Sequence, residues 1–235
     1  MSQTSDSRVV MISGANRGIG AAVAARLAAE GWTLSLGVRN PSKLAGREDS
    51  RTLVQAFDAS RGDEEARWVE TTLARFGRID AVVNNAGIMI PKTVLEATED
   101  DIEALLQVNV KSPLRLVKAA YPALTRSGKG RVVTLVSLSG KRVKTAASGS
   151  YSMSKFAALA LSHAIRHAGW DEGVRSTAIC PGFVATDMAK DLVDLDPAGM
   201  TQPEDLAGIV SLVLNLPNTA SVPEIAVNCA LEANF

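Results

Sequence analysis

Residues 8–20 read Arg8-Val9-Val10-Met11-Ile12-Ser13-Gly14-Ala15-Asn16-Arg17-Gly18-Ile19-Gly20, and an alanine-rich stretch of helical spacing follows through Ala29. The sense is strand, turn, helix. Glycines in such a turn present bare backbone, while the N–H groups and positive end of the helix offset the charge of a pyrophosphate laid against them. The glycines fall at Gly14, Gly18 and Gly20, a Gly-x-x-x-Gly-x-Gly spacing rather than the commoner Gly-x-Gly-x-x-Gly. A ligand-free tight turn would use the same glycines, so the position between strand and helix carries the argument, with Asn16, Arg17 and Ile19 part of the candidate phosphate loop. Outward from this unit, β-rich runs predict strands at 8–12, 33–38, 52–57, 79–84, 131–136, 174–180 and 225–227. Helical periodicity predicts helices at 18–29, 63–76, 99–125, 151–170 and 203–214, the third broken near Pro113. This alternation implies an α/β fold, a doubly wound, seven-stranded parallel sheet with helices on both faces.

Composition narrows the class. Charge is balanced, 25 Lys and Arg against 25 Asp and Glu, so there is no bulk electrostatic reason to seek nucleic acid or an anionic membrane. Hydrophobic residues make up 46% of the chain, which excludes disorder as its main theme. The cysteines, Cys180 and Cys229, are too few for a disulfide framework or a four-cysteine zinc site, and a reducing, cytoplasmic setting is expected. The first ten residues have neither the apolar core nor the cleavage pattern of an export signal. The apolar run 206–216 is too short to span a bilayer and reads as a buried helix. No repeat, low-complexity tract or linker divides the chain, so residues 1–235 are expected to form one nucleotide-binding domain, with a substrate lid near 182–200 where Pro181-Gly182 and a run of aspartates interrupt the apolar pattern.

The ends of the predicted strands suggest the chemistry. An acidic side chain after the second strand would bond the adenosine ribose of NAD, but that stretch reads Leu36-Gly37-Val38-Arg39-Asn40. Arg39 and Arg17 offer instead a charge-assisted clamp for a 2′-phosphate, which favours NADP(H) over the alternative of two solvated arginines. Tyr151 and Lys155 lie four residues apart, on one helix face. An ammonium beside a phenol is expected to lower its pKa toward the range where it exchanges a proton with a carbonyl or alcohol oxygen. The fourth strand ends in Asn84-Asn85-Ala86-Gly87 and the fifth in Ser137, and both ends should face the crevice where open α/β sheets bind ligands.

In this order, these residues, with Asn109, Pro181-Gly182 and Thr186, resemble the short-chain dehydrogenase/reductase family over essentially the whole chain. The resemblance implies a Rossmann-type domain, assembled as a homodimer or homotetramer, that moves a hydride between NADP(H) and a small carbonyl or alcohol substrate. It implies that Tyr151 is the acid/base, that Lys155 holds the ribose and tunes the tyrosine, that Ser137 orients the substrate oxygen, and that Asn109 anchors a water passing protons to Lys155. Asp58 would bond the adenine amino group and Thr186 the nicotinamide carboxamide, with Asn85, Ala86, Gly87, Pro181, Gly182 and Val184 lining the cofactor. An NAD-linked alcohol dehydrogenase would use the same residues. A non-catalytic regulatory protein sensing NADPH would need none of Asn109, Ser137, Tyr151 and Lys155.

The chain departs from the family pattern in places. Two adjacent serines usually stand thirteen residues before the tyrosine; here Val136 takes the first place, Ser137 lies fourteen before Tyr151, and Leu138 follows. Ser139 therefore competes with Ser137 for the catalytic role. The frequent Asp-Gly-Gly after the last strand is replaced by Asn228-Cys229-Ala230, which weakens the tetramer expectation more than that of a dimer built on helices 99–125 and 151–170, where Ala157, Ala158 and Ala160 would permit close packing. His163 and His167 have zinc-binding spacing, but Ala164 stands where a metallohydrolase needs glutamate, and no metal is expected. The loop bases Lys141, Arg142 and Lys144 face the lid acids Asp187, Asp191, Asp194 and Asp196 in sign, holding the lid or remaining solvated; alternatively, one base recognises a substrate carboxylate or phosphate. Segments 88–96 and 138–150 and the lid are expected to shape the substrate pocket, with Met89, Phe183 and Met188 making it partly apolar.

Overall fold

The computed structural model describes residues 7–190 and 195–232. Seven strands, β1 (Val9–Ser13), β2 (Thr33–Val38), β3 (Thr52–Ala56), β4 (Ala81–Asn84), β5 (Arg131–Leu135), β6 (Arg175–Pro181) and β7 (Glu224–Val227), form one sheet in the order β3-β2-β1-β4-β5-β6-β7. Every pairing is parallel. The helices are α1 (Gly18–Ala29), α2 (Glu64–Phe76), α3 (Glu99–Leu106), α4 (Ser112–Arg126), α5 (Gly149–Ala168), the single turn α6 (Asp187–Lys190) and α7 (Pro203–Asn215). This is the doubly wound Rossmann-type architecture, and the order reverses between β1 and β4, where such sheets open a crevice.

The strands are apolar because both faces are covered. In β1, Val10 and Ile12 point to the side of α1 and α7, packing with Val23, Leu27, Leu206 and Val210. Met11 points the other way, toward Trp68 of α2, Leu116 and Val117 of α4 and Ile165 of α5. Gly37 is needed in β2 for this packing: a Cβ there would stand 2.6 Å from the Trp68 ring. The Trp68 indole N–H donates to Ser35 Oγ at 2.8 Å, so this fully buried ring leaves no orphan donor.

Strand and helix ends differ from the predicted ones by a residue or two. The third helix differs in kind. It is not broken at Pro113; α3 and α4 run on through a π turn at Gln107–Lys111. Pro113 has no N–H to close an ordinary turn, and the extra residue of the π turn absorbs the defect just before it. The region expected as a lid is tied at its base, with Ala185 N–H donating to the Thr201 carbonyl at 3.0 Å and Thr201 N–H to that of Phe183 at 3.2 Å. Asp191 and Asp194 lie outside the described residues. Among the described residues no helix is long and apolar enough to cross a membrane.

Candidate active site

A cavity of about 920 Å³ opens over the carboxyl ends of the strands and runs from the glycine turn to the loop after β5. Gly14, with φ +67°, and Gly18, with φ +51°, hold backbone conformations that side-chain-bearing residues rarely adopt. A Cβ on Gly14 would stand 3.0 Å from Asn85 Nδ2 and 3.2 Å from Ala86 Cα, so bare backbone lets the turn nestle against the end of β4. Ser13 and Asn85 lock that junction: Ser13 Oγ accepts from the Asn85 and Ala86 N–H groups at 3.0 Å each, and Asn85 Nδ2 donates to the Ser13 and Gly14 carbonyls. Asn16, Arg17, Gly18 and Ile19 line the cavity at the start of α1, and Gly20 lies behind them, packed on the Gly14 carbonyl.

Arg39 is exposed at the rim beside Asp58. Partial burial raises the Asp58 carboxyl, but the Ser60 backbone and hydroxyl hydrogen bonds and the Arg39 charge outweigh it and leave it below the usual carboxylate range. Arg17 pairs with Asp187 at 3.2 Å, both side chains largely exposed. Such a pair contributes between nothing and about 1 kcal/mol, too little to keep Arg17 from a phosphate. Gly87, Pro181, Gly182, Val184 and Thr186 complete the wall of this end.

Tyr151 and Lys155 share one face of α5 and both line the cavity, although each residue is less than a tenth exposed. Lys155 Nζ lies 5.7 Å from the Tyr151 ring centroid and donates to the Leu135 carbonyl at 3.0 Å. The expected lowering of the phenol does not occur. Burial pushes Tyr151 up to about 12, opposed by its hydrogen bond with the Ser137 hydroxyl. Burial likewise pushes Lys155 down to about 8. Desolvation of both groups outweighs the attraction the sequence argument relied on.

Ser137 and Ser139 both line the cavity, but Ser137 is the one bonded to Tyr151. Its Oγ also accepts from the Ser139 N–H at 3.1 Å, so the second serine's backbone orients the first. Asn109 stands behind the wall, in the π turn, 2% exposed. Its amide accepts from Ile88 N–H at 3.0 Å and donates to the Ile88 carbonyl at 3.0 Å and Ser154 Oγ at 2.9 Å, tying the loop after β4 to α5. Those bonds occupy both ends of the side-chain amide. The Asn109 carbonyl lacks the ordinary helical partner, because Pro113, four residues on, has no N–H to offer it.

Among the described residues the loop bases pair with acids outside the lid. Lys141 pairs with Glu224 of β7, and Arg142 and Lys144 pair with Glu232 beyond it. Asp187 goes to Arg17, and Asp196 accepts from the Ala198 N–H in its own turn. His163 Nε2 meets Glu224 Oε1 at 2.7 Å. Ala158 is wholly buried against Val136, Leu138 and Cys180, so it packs within the chain rather than at a helix interface. Met89, Phe183 and Met188 line the cavity as expected, joined by Glu232, which no local pattern marked.

Comparison with known proteins follows the same lines. The short chain dehydrogenase family profile matches residues 8–196. An agropine synthesis reductase of Rhizobium rhizogenes is 39% identical over 97% of this chain, which spans about half, 54%, of that relative's length; a second of the same name and source shows the same coverage at 40%. An uncharacterized oxidoreductase of Staphylococcus saprophyticus is 31% identical, covering 94% of this chain and 96% of its own. Among solved structures, an alcohol dehydrogenase from the archaeon Thermococcus sibiricus, complexed with 5-hydroxy-NADP, superposes with a TM-score of 0.84 at 29% identity, covering 94% of this chain and 96% of its own.

Proposed function

The chain belongs to the short-chain dehydrogenase/reductase family, an oxidoreductase family that works with a nicotinamide cofactor, and from that premise we propose that it is an NADP(H)-dependent carbonyl reductase or alcohol dehydrogenase with Tyr151 as its acid/base. The observation that carries this reading is that Ser137, Tyr151 and Lys155, the last two one helical turn apart on α5, line the same cavity as the glycine turn. The residues present fit a dinucleotide: the glycine turn lines the cavity from Gly14 to Ile19, and the start of α1, Gly18 and Ile19, faces it. Gly14 to Ile19 would hold the pyrophosphate, with Gly20 allowing the helix its close approach. Arg17 and Arg39 would take the 2′-phosphate, and Asp58 the adenine amino group. Asn85, Ala86 and Gly87 would flank the ribose, and Pro181, Gly182, Val184 and Thr186 the nicotinamide. When bound, the cofactor supplies or accepts the hydride.

The side chains do the rest. Ser137 and Tyr151 converge as donors on the substrate oxygen, where negative charge develops. Held near 12, Tyr151 is a neutral phenol at pH 7 and so carries the proton that reduction requires; an alkoxide is a far stronger base than a phenolate and takes it. Lys155 would bond the ribose, its charge favouring the phenolate once the proton has left. The Asn109 carbonyl, rather than its amide, would hold a water on the path to Lys155. The relative named a reductase and the neighbour named an alcohol dehydrogenase with an NADP derivative support this reading.

The test is NADPH oxidation against aldehydes, ketones, quinones and oxo acids, with Tyr151→Phe in parallel. A fall in kcat of about 10²- to 10⁴-fold in the variant is expected. Undiminished turnover would remove Tyr151 from the chemistry. Tight NADPH binding with no turnover of any substrate by the wild type would point instead to a regulatory NADPH sensor.

A further inference from the structure

Arg142 and Lys144 leave the loop after β5 and close on a single carboxylate, that of Glu232, from the segment after β7. Arg142 donates to Glu232 Oε2 through Nε at 2.8 Å and through Nη2, and Lys144 Nζ donates to Oε1 at 2.8 Å. The Arg142 and Glu232 side chains are only 14% and 18% exposed, so this is not a solvated surface pair. Lys144 also sits 5.2 Å from the Phe183 ring centroid, which fixes the ammonium over an apolar wall. The neighbouring Lys141 is turned away to Glu224. All three members of the cluster line the cavity that holds Ser137 and Tyr151.

Two cations are thus set against one carboxylate, Arg142 on one of its oxygens and Lys144 on the other, in the wall of the cavity that Ser137 and Tyr151 also line. Glu232 is held down at about 2, first by the Lys144 hydrogen bond, with burial opposing and Arg142 adding to it, so it is an anion at any ordinary pH. We propose that Arg142 and Lys144 form the subsite for a carboxylate on the substrate, with Glu232 as the chain's own occupant in the free enzyme. The preferred substrates are then oxo acids, or the corresponding hydroxy acids, whose carboxylate displaces Glu232; this rests on the reductase reading above. Displacement exchanges one charge-assisted pair for another and returns the Glu232 carboxylate to water, so its net cost is small. The reaction at the other end is unchanged: the carbonyl carbon gains a hydride from NADPH, which becomes NADP⁺, its oxygen gains the Tyr151 proton, and the carboxylate takes no part.

The test compares kcat/KM for straight-chain oxo acids of four to seven carbons with that for their methyl esters, in the wild type, Glu232→Gln, Arg142→Gln and Lys144→Met. The acid-to-ester ratio cancels general damage to the fold. Acids are expected to be favoured by about tenfold in the wild type, the ratio rising in Glu232→Gln and falling in the other two. Equal ratios across all four proteins would overturn the subsite while leaving the reductase in place. Should neither acid nor ester turn over, calorimetric titration of glutarate into the NADPH-loaded protein decides the subsite separately from the reductase reading: binding strengthened by Glu232→Gln supports it, and no binding by either protein overturns it.

Discussion

Lys155 is a cation whose burial works against the fold it serves. The group binds its proton only below about 8 in the folded chain, against 10.5 as its ordinary value, so folding expels a proton between those limits. Where the unfolded state holds more protons, stability rises with pH. The Lys155 contribution therefore costs its full amount, on the order of 3 kcal/mol, at neutral pH and fades as pH climbs from about 8 toward 10.5. In urea unfolding, the stability of Lys155→Met relative to wild type should fall by about 2–3 kcal/mol between pH 7 and pH 10. A constant difference would show that Lys155 is not held in this way. Arg39 makes a second prediction at this scale. It is exposed and close enough to Asp58 to depress that carboxyl, so it is positioned for an anion but contributes little to folding. Arg39→Asp should shift the ratio of NADPH to NADH dissociation constants by about 10- to 100-fold toward NADH, read by fluorescence titration, with thermal stability nearly unchanged. An unmoved ratio would leave Arg17 as the sole 2′-phosphate ligand or remove the NADP preference.

At the scale of elements, the junction between β1 and α1 depends on contacts that admit no side chain. A Cβ on Gly20 would lie 2.4 Å from the Gly14 carbonyl oxygen and 2.5 Å from Asn85 Nδ2, and both of those groups are held by the β4 end. Gly20→Val must therefore push α1 away from the turn, moving the N–H groups at its start. NADPH binding should weaken by more than about tenfold, and stability should fall by about 1–3 kcal/mol, from calorimetric binding and denaturant unfolding. Full affinity in that variant would show that the helix start does not hold the phosphates. The π turn acts in the same local way on the other side of the cavity. One additional residue at Gln107–Lys111 rotates Asn109 so that its amide spans the Ile88 backbone and Ser154, and Ser154 Oγ in turn donates to the Tyr151 carbonyl at 2.7 Å. Sequence periodicity located the helix and the proline but read them as a break, because the hydrogen-bond shift that heals a missing N–H leaves no mark on the spacing of apolar residues.

Across the whole molecule, α4 and α5 leave apolar side chains outside: Leu114, Met153 and Phe156 are 40%, 53% and 44% exposed. A homodimer of the kind the family resemblance implies would cover this surface, with the exposed large side chains rather than Ala158 at its centre. Phe156→Glu should then halve the mass measured by light scattering, whereas an unchanged mass would place the subunit contact elsewhere. The fold was legible in the sequence because its determinants are local and repeated. Two-residue alternation in β1 divides Val10 and Ile12 from Met11, helical spacing buries Val23 and Leu27, and the glycines stand where the chain must turn tightly. Tyr151 and Lys155 were legible for the same reason, since one helical turn sets their separation. Their ionisation was not, because desolvation depends on everything packed around them. Nor were the partners of the loop bases: Arg142 and Glu232 are 90 residues apart and meet because β7 pairs beside β6, beyond the loop that follows β5. Backbone stereochemistry and periodicity act over a few residues and can be read from the chain itself. Burial and long-range charge pairing arise only when the sheet order brings distant segments together, and those were decided by the tertiary structure.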